Sequence, residues 1–174
     1  MGLAAGDQAL YDWLDHNSGL EGVQLDVVNS AEVIAANREL ISINACVSVD
    51  LLGQIDSETS GLRQISGTGG QLDYVTGAVM SGGGKSFIAM NSVYRDKAGE
   101  VRSRIQPYYT QGDVISVPRS QANFIVTEYG AVNLAGRSTW ERAERLISIA
   151  HPDFRDQLCE EAEKMGIWKK SNKK

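Results

Sequence analysis

Apolar residues recur at helical spacing near both ends of the 174-residue chain and at strand spacing through its middle. From Asp7 to His16, Leu10, Trp13 and Leu14 fall on one helical face, and Asn17-Ser18-Gly19 ends the element. Val23 to Val28 is a compact apolar run and predicts a short strand. Ser30 stands as an N-cap before a helical stretch that turns Val33 and Ile34 inward. Leu40 to Asp50 alternates with period two, which predicts one strand. Its apolar side is Ile41, Ile43, Ala45, Val47 and Val49; Ser42, Asn44, Cys46 and Ser48 lie opposite.

Gly53 to Gly70 is a polar, Gly/Ser-rich connection, long enough to suggest a functional loop. A helix is expected over Gly70–Met80 and a buried strand over Lys85–Met90. Val101–Tyr108, Val114–Val117 and Phe124–Thr127 read as further strands, the last followed by a turn at Tyr129-Gly130. Ser138 and Glu141 have capping-box spacing, and Ala143, Leu146, Ile147 and Ala150 follow at helical intervals. Pro152 suits the first turn of a last helix with Phe154, Leu158, Ala162 and Met165 inward and Gly166 as its stop. Strands interleaved with helices define an α/β domain. Residues 1–170 read as one such domain, with 171–174 as a flexible tail.

Composition narrows the function classes. The 22 acidic and 17 basic residues leave a net charge of −5, which argues against general nucleic-acid binding. No stretch reaches the roughly 18 apolar residues of a membrane span. The N-terminal stretch lacks a signal peptide's basic region, so a cytoplasmic protein is expected. Two cysteines, Cys46 and Cys159, support no disulfide framework and read as buried thiols. Eighteen glycines cluster toward the middle, where backbone approaches something closely.

Familiar nucleotide motifs fail on inspection. Ser81–Ser86 ends like a phosphate loop, but the glycine that loop requires is replaced by Val79, and the run precedes a strand. A dinucleotide fingerprint fails at Leu72 when started from Gly67 and at Phe87 when started from Gly82. The two histidines, His16 and His151, sit at helix ends without metal-ligand spacing, so no metal site is expected; His151 reads as a cap or loop hydrogen-bonder. What remains is Asn44 on a strand, Gly67-Thr68-Gly69-Gly70 on a loop, Lys85 at a strand start and Glu128-Tyr129-Gly130 at a strand end. Loops at strand ends bind ligands in open α/β sheets, and glycine N–H groups hold anions. The same glycines and lysine are also compatible with a plain turn and a solvated side chain.

Four blocks change that balance: G-x-G-G-Q-x-D-[FY] from Gly67, S-x-G-G-K-[ST]-x-I-A from Ser81, V-T-E-Y-G from Val126 and A-H-P-D-[FY]-R from Ala150. With them the chain resembles the C-terminal half of the acetyl-CoA hydrolase/transferase family over roughly residues 4–165, nearest to 4-hydroxybutyrate and acetate CoA-transferases. The resemblance implies a CoA-transferase-like open sheet of the NagB/RpiA type, flanked by helices. It implies transfer of coenzyme A between short-chain carboxylic acids through a glutamyl-CoA thioester, with coenzyme A as substrate and no tightly bound cofactor. The family's nucleophile lies in a Gly-x-His-[ST]-Glu motif, and no such motif occurs here.

The resemblance further implies that Asn44 lies near the reacting centre. It assigns Gly70 to the oxyanion region, Gly67, Gly69, Gly70 and Lys85 to coenzyme A, and Glu128 to a supporting carboxylate. A chain carrying only this half is expected to expose an apolar face. An N-terminal half, a split subunit or a further copy in a homo-oligomer would cover it. A stand-alone binding module and half of an acyl-CoA hydrolase are the alternative readings.

Overall fold

A computed structural model describes residues 4–167. Three short helices come first: α1 (Gln8–Leu14), α2 (Leu25–Val28) and α3 (Ala31–Ala35). Asp7 caps α1 by accepting from Leu10 N at 3.0 Å, and Ser30 caps α3 by accepting from Val33 N. The expected strand over Val23–Val28 is instead α2. Gln24 O accepts from the amides of Val27 and Val28, closing a helical turn. A short apolar run does not by itself distinguish helix from strand. The expected apolar face of α1 stays uncovered as well, with Trp13 58% exposed.

The strands follow as β1 (Ile41–Ala45), β2 (Ser48–Asp50), β3 (Ile55–Asp56), β4 (Thr59–Ser60) and β5 (Arg63–Gln64). Next come α4 (Gln71–Met80), β6 (Lys85–Ala89), β7 (Val93–Arg95), β8 (Val101–Ser103) and β9 (Ile105–Gln106). The chain continues through β10 (Phe124–Thr127), β11 (Gly130–Asn133), α5 (Thr139–Ser148) and α6 (Pro152–Lys164). The main sheet has the order β1-β6-β10-β11, with β1, β6 and β10 parallel and β11 returning antiparallel. A second sheet, β3-β2-β9, supplies Val49, Ile55 and Ile105 to the same core as Ile88 and Ile125.

The single strand expected over Leu40–Asp50 is two. At Cys46-Val47 the chain leaves the main sheet and enters the second one. The alternation is correct in period but reversed in sense along β1: Ser42 is buried, whereas Ile41 is 51% and Ile43 71% exposed. Helix α4 packs on β1 and β6, covering the face that carries Ser42. In register with Ile43 on the other face stand Phe87 and Phe124, whose rings stack with centroids 4.9 Å apart. That apolar face is open. Periodicity identifies two faces of a strand and does not say which one the rest of the chain covers.

The Gly53–Gly70 connection contains β3 and the small β4-β5 hairpin, so it is more ordered than its composition suggests. Val101–Tyr108 divides into β8 and β9, and Val114–Val117 contributes only an isolated bridge from Val117 to Ile55. The C-terminal helices match expectation. Ser138 and Glu141 form the capping box, and His151 caps α6 by accepting from Asp153 N. The 171–174 tail lies outside the described residues. Among the described residues no helix is long and apolar enough to cross a membrane.

Gly77 inside α4 has a packing cause. A Cβ there would stand 2.6 Å from Ile34 Cβ and 3.1 Å from Ala31 O. Gly77→Ala therefore overpacks the α3–α4 contact. It should destabilise by about 1–3 kcal/mol despite alanine's better helix propensity, and a thermal melt reads the loss.

Candidate active site

The C-terminal ends of the parallel strands β1, β6 and β10 gather the polar groups. Asn44 lies on β1 with its Nδ2 donating to Ser42 Oγ at 2.9 Å. The first residue of α4, Gln71, donates from Nε2 to Ala45 O at 2.9 Å, tying the helix start to the end of β1. Gly70 is the N-cap of α4 and offers no side-chain cap, so the first-turn amides have no side-chain acceptor there. The helix dipole adds partial positive charge at the same point. Gln71 Oε1 is buried with no hydrogen-bond partner among the described residues.

Glu128 sits in the tight β10–β11 turn at the same edge, roughly two strand spacings, about 10 Å, from β1. Its carboxylate accepts from Ser92 N at 2.8 Å and from Ser92 Oγ at 2.6 Å. Burial raises its pKa, but the Ser92 bonds, its own amide and the nearby His151 outweigh that, and the net shift is downward. Folding thus favours the charged form. The resulting stabilisation is full above the ordinary carboxylate range and is lost as pH falls through the folded pKa. Ser92→Ala keeps the amide bond and removes the hydroxyl one. It should lower Tm at about pH 7 and have a smaller effect at about pH 3, below the ordinary carboxylate range. Equal losses at both pH values would refute the link to Glu128.

The remaining expected residues are distributed differently. Gly67 and Gly69 lie in the exposed loop before α4, where an added Cβ would meet nothing, and Gly69 has φ +54. Lys85 begins β6 and pairs with Ile41, so it occupies the opposite, N-terminal end of the strands. Four residue steps along β6 separate it from Ala89, about 13 Å. Asn44, Gly70 and Glu128 share one edge, and Lys85 does not.

Two adjoining clefts open at this edge. One, of ≈ 430 Å³, is floored by the strand ends at Ala45, Ala89 and Val126. The other, of ≈ 390 Å³, lies toward the β4-β5 hairpin and includes Asp56 and Tyr94. Cys46 and Arg104 line both. Burial pushes the Cys46 thiol up to about 12, against the opposing influence of Arg104. Sequence reasoning missed Ser92, Arg104 and Gln71. Gln71 had a signal, since it belongs to the G-x-G-G-Q-x-D block; Ser92 had none, because only the fold brings it to Glu128. Among the described residues no cluster of three or more His, Cys, Asp or Glu forms a metal site.

An α/β domain with an uncapped helix start, a hydrogen-bonded carboxylate and a cleft at the C-terminal ends of parallel strands belongs to the class that binds ligands at that edge. Residues 6–162 match the acetyl-CoA hydrolase/transferase C-terminal domain, and the chain belongs to that family. It is 54% identical over 170 residues to a probable butyrate:acetyl-CoA coenzyme A-transferase of Syntrophomonas wolfei, covering 98% of this chain and 38% of that protein. It is 44% identical over 160 residues to the 4-hydroxybutyrate coenzyme A transferase of Clostridium kluyveri, covering 91% and 36%. The crystal structure of RipA from Yersinia pestis superposes with TM-score 0.82 at 44% identity, covering 94% of this chain and 36% of that one. The chain thus spans little more than a third of these proteins. Of the two transferases, the butyrate:acetyl-CoA one is the more similar.

Proposed function

We propose that this chain is the C-terminal domain of a cytoplasmic CoA-transferase that exchanges coenzyme A between short-chain carboxylic acids. The fold is then of the NagB/RpiA open-sheet type. The nucleophile is a glutamate from the remaining length that the relatives possess. Its carboxylate attacks the acyl-CoA carbonyl, forming an acyl-glutamyl anhydride and releasing the coenzyme A thiolate. The thiolate then attacks the glutamyl carbonyl, giving the glutamyl-CoA thioester and expelling the first acid as its carboxylate. Gly70 and the start of α4 supply amides for the tetrahedral oxyanion, while Glu128 and Asn44 order the surroundings. Gly67 and Gly69 lie along the coenzyme A path. Lys85, at the far end of the strands, serves only a distant part of that substrate. The observation that carries this reading is the convergence of Asn44, Gly70 and Glu128 on one strand edge, in a chain 54% identical to a protein named as a butyrate:acetyl-CoA transferase.

The test compares this chain alone with the chain combined with the segment that completes the relatives' length. With butyryl-CoA and labelled acetate, acetyl-CoA should form only in the combination. Borohydride should trap a reduced glutamate only in the added segment. A trapped glutamate in this chain would overturn the division of labour. Release of free coenzyme A without acetyl-CoA would assign the hydrolase reading instead.

A further inference from the structure

Arg104 is the one charged residue lining the ≈ 430 Å³ cleft at the strand ends. The exposed Arg102 pairs with Asp96 and Glu100, and Arg137 pairs with Glu141. Half-buried Arg104 forms no ion pair among the described residues. It is nevertheless held in place. Its Nη1 donates to Val47 O at 2.7 Å, and its Cζ lies 5.1 Å from the Tyr94 ring centroid. Its amide donates to Ser92 O at 2.8 Å, and Ser92 is the residue that binds Glu128.

A guanidinium carries five N–H donors in a planar fork, and Val47 uses one of them. The two acids lining the adjoining cleft are already engaged: Asp56 accepts with both oxygens from Glu58 N, Thr59 N and Thr59 Oγ1, and Asp113 accepts from Thr110 N and Oγ1. A fixed, partly desolvated fork without an anion is a binding group waiting for one. The floor beside it is Ala45, Ala89 and Val126 in register. Small apolar side chains there leave room for a short alkyl tail next to a charged head.

We propose that Arg104 binds the carboxylate of the short-chain acid that gives or receives coenzyme A, with the acid's alkyl tail over Ala45 and Ala89. This rests on the transferase reading and adds to it a substrate-binding residue on this chain. Titration calorimetry of the 174-residue chain with sodium butyrate, butyramide and inorganic phosphate tests it. Butyrate should bind and the neutral amide should not. Arg104→Gln should weaken butyrate at least tenfold with unchanged circular dichroism, and Arg104→Lys should weaken it less.

Unchanged butyrate affinity in folded Arg104→Gln, or no butyrate binding by the wild-type chain, would overturn the assignment. So would phosphate binding in place of butyrate, which would point to coenzyme A's phosphates. In the completed enzyme, Arg104→Gln should raise KM for acetate more than it lowers kcat. Transfer with an unchanged acetate KM removes Arg104 and leaves the transferase standing. Arg104-dependent butyrate binding in a protein that transfers no coenzyme A does the reverse.

Discussion

Gly70→Ala should lower kcat of the completed enzyme, by less than the factor of about 10²–10³ that a fully removed oxyanion donor costs, while Tm moves little. Alanine keeps the amide, and its methyl acts only by crowding the thioester or tilting that amide. The backbone makes this a clean test. Gly70 has φ −96 and ψ 12, a region open to alanine, so no left-handed strain enters. The added methyl meets the amide end of the Asn29 side chain, which can swing aside. Its other neighbour is Tyr74 Cδ2 at 3.7 Å, an ordinary contact. Gly69→Ala is the matched control. Its φ of +54 strains any residue with a Cβ, yet the methyl would project into open space. That variant should lose about 1–2 kcal/mol of stability and act on turnover through KM for the acyl-CoA more than through kcat, since Gly69 is placed on the coenzyme A path and not at the oxyanion. A folded Gly70→Ala enzyme with normal kcat and KM would leave this loop as architecture alone.

The second large effect concerns the open sheet face. Ile43, at 71% exposure, stands in register with Phe87 and, through it, Phe124. Ile41 and Ile43 leave this side partly exposed, and the relatives carry more than half their length outside the matched stretch. If that length packs here, Ile43 is a central contact. Ile43→Glu should then weaken association with the added segment by about 2–4 kcal/mol, roughly 30- to 1,000-fold in Kd. The isolated chain should melt as before, because the side chain is already in water. Analytical ultracentrifugation of mixtures reads the change. Undiminished association would move the interface elsewhere.

How legible all this was in the sequence depended on the range of the interaction. The capping box at Ser138–Glu141 and the caps at Ser30 and His151 are set by residues within three positions, and they read directly; the cap at Asp7 is as local but was not read. Strands β1, β6 and β10 read from local pattern, whereas Val23–Val28 is a helix and Val114–Val117 only a bridge, since a short apolar run does not fix its own pairing. Which face is buried did not read locally, because the partner of β1 is α4, some thirty residues away, and the sense of the alternation reversed. The site followed the same rule. Asn44, Gly70 and Glu128 were legible through blocks shared with a family. Ser92 and Arg104 owe their places to contacts spanning 36 and 57 residues, which no local pattern encodes.

If coenzyme A binds here as proposed, Cys46 carries a consequence, because that substrate is itself a thiol. A cysteine beside a bound coenzyme A is exposed to mixed-disulfide formation whenever the cell is oxidised, and that reaction needs a thiolate. Here the sulfur turns onto Met90 Sδ at 3.5 Å and its pKa is pushed up to about 12. At neutral pH the sulfur is therefore held as the thiol. The pocket thus keeps a sulfhydryl at its wall without offering the substrate a partner for capture, and oxidative stress should leave this position unmodified while more acidic thiols react.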